Sequence, residues 1–308
     1  MFAFQVSPLN RHGDIRHHDT FINRIWQSEQ AHYLPVYRQT IATRSREETY
    51  IPHWQSYSEL VDIFGSLEQK HLIYLGEKNS EHFFTYRLKD ESSLDQLKAA
   101  TPESAIELLG LRELFKSLPA EDSYLCNVAI AMEHWHNTHQ FCGYCGSETY
   151  SNKAGFVRTC SNKSCQQEHF PRTDSAVICA ITNNDKILLG RQTSWPEHRY
   201  SVIAGFVEPG ETLEQAVARE GFEETGLRLK NINYFKSQPW PFPQSLMVGF
   251  TAETQDYDIQ LRDKELENAK WFTRDDIRIL TERQELELPS VFSISRELIN
   301  QWLKCTSC

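Results

Sequence analysis

The chain has 308 residues, enough for two or three small domains, and its hydrophobic fraction of 40% is typical of soluble globular proteins. Its net charge of −10 disfavours general binding to nucleic acids or anionic membranes. It contains no apolar run near the roughly 18 residues of a membrane span, and no long apolar core of a secretion signal. We therefore expect a cytoplasmic protein without a membrane partner.

The N-terminal part of the chain predicts a mixed α/β domain. Segments 71–76 and 82–88 are rich in apolar and aromatic residues and flank a polar turn, which predicts two strands. Thr101 followed by Pro102 predicts the start of a helix. A second helix is predicted after residue 119, where apolar residues recur every three or four positions: Leu125, Val128, Met132 and Trp135.

Four cysteines follow this helix directly. Cys142 and Cys145 form one close pair, and Cys160 and Cys165 form a second pair after fourteen intervening residues. This spacing predicts a tetrahedral Zn²⁺ site, which would be structural because four cysteines leave no open coordination position. An iron–sulfur cluster is the less favoured alternative.

The remaining histidines and cysteines of the chain do not predict a second metal site. His134, His136 and His139 do not all share one helical face, so we interpret them as helix surface and packing residues. The terminal pair Cys305 and Cys308 is interpreted as tail thiols. Cys126 and Cys179 lie in apolar stretches and are interpreted as small core residues. Of the eight cysteines, we therefore assign four to metal.

The C-terminal part predicts a layered α+β or α/β domain. Helices are predicted at about 212–225 and 289–304. Short strands are predicted in the segments SAVICAI, KILLGR, SVIAGF, NINYF and SLMVGFTA.

The helix predicted at 212–225 ends in the unusual sequence REGFEETG. Leu213, Ala216, Val217, Glu220 and Glu224 step by three or four, so an apolar stripe continues into carboxylates. Buried carboxylates need compensation, which a divalent cation would supply. From these residues alone, a solvated helix with clustered charge remains an equal alternative.

The flanks of this helix extend the pattern. Gly205 is followed after five residues by Glu211, and after seven more by Arg219–Glu220, then Glu223–Glu224 and Gly226–Leu227. This sequence resembles the Nudix box, Gx5Ex7REUxEExGU, where U is a bulky aliphatic residue, except that Gly221 occupies a U position. The resemblance implies that Glu220, Glu223 and Glu224 are catalytic and hold Mg²⁺ or Mn²⁺. It does not show which of them is the base.

A second motif, SQPWPFPQS, begins at Ser237. Its three prolines stiffen the chain around Trp240 and Phe242, which predicts either a rigid surface for a planar ring or a plain connector. Downstream of a Nudix box, it is similar to the signature of the NADH pyrophosphatases, a family that includes bacterial enzymes removing NAD caps from RNA. The resemblance covers about residues 125–303. It implies a substrate-binding role for Gln238, Pro239, Trp240, Pro241, Phe242, Pro243, Gln244 and Ser245.

The same resemblance assigns four further residues. Phe206 and Phe170 match aromatic residues that enclose the base, and Phe170 would come from a partner subunit. Glu265 matches a further metal-binding acid. Ser295 matches a substrate-contact position at which alanine is usual.

The resemblance also implies the organisation of the chain and its reaction. A Nudix α/β/α sandwich at 173–304 would follow an N-terminal Nudix-associated dimerisation domain at 1–136 and a zinc ribbon at 137–172. The homodimer would hydrolyse the diphosphate of NAD(H) to NMN(H) and AMP, and would release NMN and 5′-monophosphate RNA from NAD-capped RNA. The alternatives are a broader diphosphatase for ADP-ribose or dinucleoside polyphosphates, and a catalytically weak zinc-ribbon RNA-binding module.

Overall fold

The computed structural model describes residues 9–46, 49–101, 106–116, 118–262 and 264–304. The chain divides into two compact units, Met1–Arg172 and Thr173–Cys308. Within the described ranges, no helix combines the length and the apolar character needed to cross a bilayer. The terminal cysteines Cys305 and Cys308 lie outside the described residues.

The N-terminal unit is organised around one mixed sheet. Its strands are β1 (Ala31–Tyr37), β2 (Thr40–Arg46), β3 (Thr49–Pro52), β4 (Gln55–Ser56), β5 (Leu72–Lys78), β6 (Glu81–Arg87) and β7 (Glu107–Leu109). The order is β3-β2-β1-β6-β5, with β4 beside β1 and β7 beside β2, and β1 and β6 are parallel. The predicted pair of strands is confirmed as the β5–β6 hairpin. Its turn residues Asn79 and Ser80 have positive φ, as tight hairpins require.

Helices cover this sheet and lead into the cysteine-rich segment. They are α1 (Asp19–Ile25), α2 (Tyr57–Phe64), α3 (Glu91–Ala100), α4 (Leu111–Leu114) and α5 (Ala120–Thr138). Thr101 ends α3, and its hydroxyl donates to the Leu97 carbonyl. The helix predicted to start at Thr101 and Pro102 falls on residues 102–105, which lie outside the described residues. Helix α3 begins where the Asp90 carboxylate accepts the backbone N–H of Ser93.

The helix predicted after residue 119 is confirmed as α5. Its residues Met132 and Trp135 are buried and pack against Ile73 of β5. A small antiparallel sheet follows, in the order β10-β9-β8, with β8 (Thr149–Asn152), β9 (Val157–Cys160) and β10 (Glu168–His169). This sheet carries the cysteine pairs on the turns before β8 and after β9.

The C-terminal unit contains a second mixed sheet. Its strands are β11 (Asp174–Asn183), β12 (Lys186–Arg191), β13 (Ile203–Phe206), β14 (Leu229–Trp240), β15 (Ser245–Thr254) and β16 (Asn268–Phe272). The order is β14-β15-β11-β12-β16, with β13 beside β11, and β11 and β15 are parallel. The five predicted strands of this unit are confirmed, whereas β16 was not predicted.

Helices cover the two faces of this sheet. On one face, α6 (Leu213–Thr225) packs through Ala216 and Val217 against alternate residues of β11, including Val177 and Ile181. On the other face, Ile294 of α8 (Ile294–Lys304) lies against β15 at Gly249, where an added Cβ would be 2.7 Å from the Ile294 Cδ1 atom. Since successive strand residues point to opposite faces, this arrangement confirms the predicted α/β/α sandwich.

Two helix predictions in this unit need correction. Helix α7 (Arg274–Glu282) was not predicted, although Thr273 and Asp276 form a capping box at its start. Helix α8 begins at Ile294 and not near residue 289. The Ser293 hydroxyl accepts the backbone N–H of Arg296, and the Gln238 amide oxygen accepts that of Ile294, so these two side chains fix where the helix starts.

Candidate active site and zinc site

The helix that carries the glutamates is delimited at both ends by its own sequence. At its start, the Thr212 hydroxyl accepts the backbone N–H of Gln215, and the Gln215 side chain accepts that of Thr212. At its end, Gly226 adopts a left-handed conformation with φ of 73°. The predicted helix is therefore confirmed as α6, and Glu220, Glu223 and Glu224 all lie in its last two turns.

Arg219 joins the carboxylates into one network. Its Nε and Nη2 atoms donate to both oxygens of Glu211 at 2.6 and 3.0 Å. Its Nη1 atom donates to Glu220 and to Glu223, each at 2.9 Å, and Nη2 also donates to the Phe206 carbonyl at 2.8 Å. One guanidinium thus holds three carboxylates that would otherwise repel each other.

Glu220 is held against the backbone of the neighbouring strand. An added Cβ at Gly205 of β13 would lie 1.9 Å from the Glu220 carboxyl carbon, so any larger residue there would displace the carboxylate. Burial raises the pKa of Glu220, Arg219 lowers it, and the charges of Glu223 and Glu265 raise it again. The site is therefore crowded with negative charge, and one arginine compensates only part of it.

The other three predicted acids differ in exposure. Glu223 is half exposed, whereas Glu224 is buried in the apolar stripe of α6 with only 2% of its surface accessible. Glu265 lies on an exposed loop between β15 and β16, near enough to Glu220 to influence its titration. Glu220, Glu223 and Glu265 are therefore close enough to interact electrostatically. Glu224 lies one turn after Glu220 on α6, and its side chain is buried.

Glu211 belongs to this site but was not among the predicted site residues. It lies before the helix, and its second oxygen also accepts the backbone N–H of Glu208 at 3.0 Å. Hydrogen bonding from Arg219 lowers the pKa of its carboxyl. Its fixed position in the sequence pattern, eight residues before Arg219, was the signal that could have identified it.

The aromatic motif after the helix is the end of a hairpin and not a free loop. Its first half, through Trp240, is part of β14, and Trp240 pairs with Ser245 of β15 across a four-residue turn. The Trp240 and Phe242 rings contact each other at a centroid distance of 4.9 Å and an interplanar angle of 67°. Both rings are half-buried, which fits a rigid aromatic surface more closely than a solvated connector.

The polar residues of the hairpin fix its position. Gln238 is buried, and its amide donates to the Phe292 carbonyl and accepts the backbone N–H of Ile294 at the start of α8. Gln244 donates to the Asp174 carboxylate at 3.1 Å. Among the other predicted residues of the motif, Pro239 and Pro243 are exposed, whereas Pro241 and Ser245 are buried.

The remaining predicted substrate residues fall in both units. Phe206, in the C-terminal unit, is 59% exposed, and its carbonyl accepts from Arg219. Phe170, in the N-terminal unit, is 63% exposed. Neither ring is a core residue. Ser295 is buried, and its hydroxyl lies 2.7 Å from that of Ser201.

Gly221, the position that departs from the motif, has a packing explanation. An added Cβ would lie 2.5 Å from the Leu229 Cδ1 atom and 3.6 Å from the Ile181 Cδ1 atom. Leu229, at the start of β14, therefore occupies the space that an aliphatic side chain on the helix would fill. The glycine at this position of the motif therefore displaces none of the site carboxylates.

The four predicted zinc ligands converge. The sulfur atoms of Cys142, Cys145, Cys160 and Cys165 all lie within 4.8 Å of one another, with Cys145 and Cys160 at 3.4 Å and Cys142 and Cys165 at 3.9 Å. A tetrahedral zinc with Zn–S bonds near 2.3 Å requires sulfur separations of about 3.8 Å. The geometry therefore fits a closed tetrathiolate zinc site.

The thiols of this cluster do not ionise equally without a cation. Hydrogen bonding from the backbone of Ser147 lowers the pKa of Cys145 to about 6, whereas burial raises the pKa of Cys160 to about 12. Zinc ligands must all be deprotonated, so a bound cation is what makes four adjacent thiolates stable.

One of the histidines interpreted as packing residues links α5 to the ribbon. His136 is fully buried, its Nε2 atom donates to the Gly155 carbonyl at 2.8 Å, and its Nδ1 atom accepts from Arg158 at 2.9 Å. Burial and the nearby Arg87 lower its pKa to about 3, so it is neutral. Because Arg158 also donates to the backbone of His139 and Thr149, this network joins α5 to the ribbon.

Comparison with known proteins agrees with this geometry. Residues 172–291 match the NUDIX domain, and residues 137–170 match the NADH pyrophosphatase zinc ribbon domain. The NAD-capped RNA hydrolase NudC of Mycobacterium bovis (strain BCG / Pasteur 1173P2) is 40% identical over 216 residues, covering 67% of this chain and 68% of that protein. NudC of Escherichia coli O9:H4 (strain HS) is 44% identical over 156 residues, covering 51% of this chain and 60% of that protein.

A solved NUDIX hydrolase from Nitrosomonas europaea is also similar, with a TM-score of 0.44 and 22% identity over 54% of this chain and 90% of that chain. A Nudix fold with a carboxylate-bearing helix and a four-cysteine ribbon defines the class of this protein as a Nudix hydrolase with a structural zinc site. Since the Mycobacterium relative is matched over more than two thirds of its length, the chain belongs to the NudC family of Nudix hydrolases.

Proposed function

We propose that this protein hydrolyses the central diphosphate of NAD(H) to NMN(H) and AMP, and removes NAD caps from RNA to leave NMN and 5′-monophosphate RNA. The arrangement that supports this most strongly is the Arg219 network, which holds Glu220 and Glu223 together beside the Gly205 backbone. The names of the Mycobacterium and Escherichia relatives support NAD-capped RNA as a substrate.

The acids of α6 support the proposal of a divalent cation site. Glu220 lies directly against Gly205, so its carboxylate is held in one place. Burial raises its pKa, and the charges of Glu223 and Glu265 add to that rise. Carboxylate oxygens are hard ligands that suit Mg²⁺ or Mn²⁺ equally. We assign Glu220, Glu223, Glu224 and Glu265 to the metal and the first three to catalysis. When bound, the cation would neutralise the diphosphate and lower the pKa of an attacking water.

The remaining residues would bind and orient the dinucleotide. Trp240 and Phe242 form a preorganised aromatic surface, and Phe206, whose carbonyl accepts from Arg219, presents an exposed ring. Phe170 would close the pocket from a second subunit. Gln238 holds the hairpin on α8, which sets the position of the aromatic pair.

We further propose that the chain is a cytoplasmic homodimer, with an N-terminal domain at 1–136, a ribbon at 137–172 and a Nudix domain at 173–304. Four of the six cysteines within the described residues form the zinc cluster, a use of cysteine that is typical of a reducing compartment. The family resemblance, in which the residue at the position of Phe170 comes from a partner subunit, supports the dimer. Sedimentation velocity at micromolar concentration tests the dimer.

The first test of the activity is product analysis. The purified, zinc-loaded protein is incubated with NADH and Mn²⁺, and products are identified by mass. NMNH with AMP would support the proposal, whereas nicotinamide with ADP-ribose would mean that a different bond is cut. An NAD-capped RNA and ADP-ribose complete the panel, and comparable rates on ADP-ribose would favour a broader diphosphatase.

A further inference from the structure

The zinc ribbon exposes an unusual number of aromatic rings. Among the described residues of the N-terminal unit, every large exposed hydrophobic side chain belongs to the ribbon: Phe141, Tyr144, Tyr150 and Phe170. Tyr144 is 84% exposed, in the turn between the first two cysteines. None of these rings supports the ribbon fold, which rests on the zinc site and the buried Arg158 network.

Strand register places three of these rings on one face. Tyr150 of β8 pairs with Thr159 of β9, and Thr159 pairs with Glu168 of β10. Residues directly opposite each other in a sheet point to the same side. A hydrogen bond from Asn152, two residues after Tyr150, to the Thr159 hydroxyl supports this assignment.

The positions of the Phe141 and Phe170 rings follow from the same alternation of side chains along a strand. Phe141 forms an isolated antiparallel bridge with Glu148, which lies two residues before Tyr150. Phe170 lies two residues after Glu168, immediately beyond β10. Phe141, Tyr150 and Phe170 therefore form a diagonal row, here called the aromatic row, on the ribbon face opposite the Arg158 network.

The spacing of the aromatic row suits an extended single strand. From strand spacing and rise per residue, the Cα atoms of Phe141 and Tyr150 are about 8 Å apart, and those of Tyr150 and Phe170 about 12 Å apart. Sequence-tolerant binding of single-stranded nucleic acids uses separate aromatic rings in this way, each stacking on one base, together with cations for the phosphates.

Charge favours RNA over a protein partner. Residues 137–172 contain four Lys or Arg residues and two Glu residues, a local net charge of +2 in a chain of −10. Lys153 lies on this face, with its ammonium 2.9 Å from the Glu168 carboxylate, and Lys163 is exposed in the second cysteine turn. The exposed rings thus lie in a locally positive segment of an acidic protein.

We propose that the aromatic row binds the single-stranded RNA that follows the NAD cap. This inference rests on the function proposed above, because Phe170 is both the end of the row and the residue assigned to the dinucleotide. An RNA whose capped end reaches Phe170 would have its next nucleotides beside Tyr150 and Phe141. The aromatic row would then favour capped RNA over free NAD(H) as a substrate, because free NAD(H) has no RNA chain to contact the row.

The test compares substrates in one double variant and two control variants. Tyr150→Thr combined with Phe141→Ser removes two rings, Tyr150→Phe retains both, and Tyr234→Ser removes a ring of similar exposure, 63%, from the C-terminal unit. Zinc content, sedimentation and far-ultraviolet circular dichroism are measured for each. Affinity for a 12-nucleotide RNA with a 5′-hydroxyl is measured by fluorescence anisotropy, and kcat/KM is measured for NADH and for the same RNA carrying an NAD cap.

We expect the double variant to lose at least about tenfold in RNA affinity and in kcat/KM for capped RNA, and less than twofold in kcat/KM for NADH. Tyr150→Phe and Tyr234→Ser should match the wild-type protein. Unchanged affinity and unchanged capped-RNA turnover in the double variant would overturn the inference. A shift of the double variant from dimer to monomer would also overturn it, since the row would then be a subunit interface.

Failure of the proposed function gives a different result. A wild-type protein that hydrolyses neither NADH nor capped RNA would contradict the proposed activity. Loss of RNA binding in the double variant would still support the aromatic row in that case.

Discussion

Two arginines, one in each unit, show how the same side chain can serve different purposes. Arg158 is buried and donates only to neutral acceptors, namely His136 and the backbone or hydroxyl of His139 and Thr149, and burial lowers its pKa. Arg219 is partly exposed and donates to three carboxylates, of which Glu211 contributes most to raising its pKa.

The two networks differ in how much charge each one leaves uncompensated. The charge of Arg158 is shared among hydrogen bonds to neutral groups, and none of these groups carries an excess negative charge that would bind an ion. Around Arg219, three carboxylates share one cation, with Glu265 nearby, so excess negative charge remains. A closed network holds two parts of the fold together, whereas a network with unbalanced charge can accept a divalent ion.

The largest effect is expected from Glu220→Gln. Because this change removes one metal-site charge while keeping the shape, NADH turnover should fall at least about 100-fold, equivalent to about 2.7 kcal/mol of transition-state stabilisation. The melting temperature should stay near that of the wild-type protein. Steady-state kinetics with saturating Mn²⁺ measures this, and near-normal turnover would remove Glu220 from the site.

A matched pair of arginine variants tests the comparison itself. Arg158→Met should lower the free energy of unfolding by about 3 kcal/mol, because four buried acceptor sites lose a charged donor. Arg219→Met should change stability by less than about 1 kcal/mol but lower kcat/KM about 10- to 100-fold. Denaturant unfolding and kinetics on the zinc-loaded proteins measure both. The reverse pattern would show that the two networks have been assigned the wrong purposes.

The contact between helix α6 and strand β13 is tested by Gly205→Ala. The new Cβ would lie 1.9 Å from the Glu220 carboxyl carbon, so the carboxylate must move. A displacement of about 1 Å at a catalytic group can cost as much as 100-fold, and we expect a loss of about tenfold or more in kcat. Gly110→Ala, whose added Cβ would have no neighbouring atom within 4 Å, is the control and should retain full activity.

The buried ribbon network predicts a pH dependence of stability. His136 has a folded pKa of about 3, below its unfolded value of about 6.5, so the unfolded state binds a proton that the folded state excludes. Its contribution to stability is present above pH 6.5 and is lost as the pH falls towards 3.

His136→Gln keeps a donor and an acceptor but does not titrate. Between pH 6 and 5, the wild-type protein should therefore lose about 1 kcal/mol more of its unfolding free energy than the variant does. Urea unfolding at the two pH values measures this difference. An equal loss in both proteins would contradict a neutral, buried His136.

The smallest effect concerns the glycine that departs from the motif. Gly221→Ala gains about 1 kcal/mol of helix propensity, but its Cβ would lie 2.5 Å from Leu229. We expect little net change in the wild-type background and a stabilisation of about 1 kcal/mol in a Leu229→Ala background. Additive effects in this double-mutant cycle would mean that the two residues do not exclude each other.

The sequence predicted those features that depend on local spacing. Helix α6, its ending at Gly226 and the convergence of the four cysteines follow from fixed intervals along the chain. The start of α8 could not be predicted in this way, because Gln238, more than fifty residues earlier, accepts the first backbone N–H. The Arg158 network was likewise missed, since the partners of this β9 residue come from a helix, a turn and another strand.

Other differences arose where a local signal was outweighed or overlooked. The prolines before Trp240 are typical of a connector, although pairing with β15 makes this segment a strand. The capping box of α7, Thr273 with Asp276, was present in the sequence and was overlooked.

The central claim is that the carboxylates around Arg219 hold a divalent metal. It is tested most directly by titrating the zinc-loaded protein with Mn²⁺ and measuring free Mn²⁺ by electron paramagnetic resonance, without substrate. We predict that Glu220→Gln weakens Mn²⁺ binding at least about tenfold and that Arg158→Met leaves it unchanged. Equal Mn²⁺ binding by the wild-type protein and Glu220→Gln would contradict the claim.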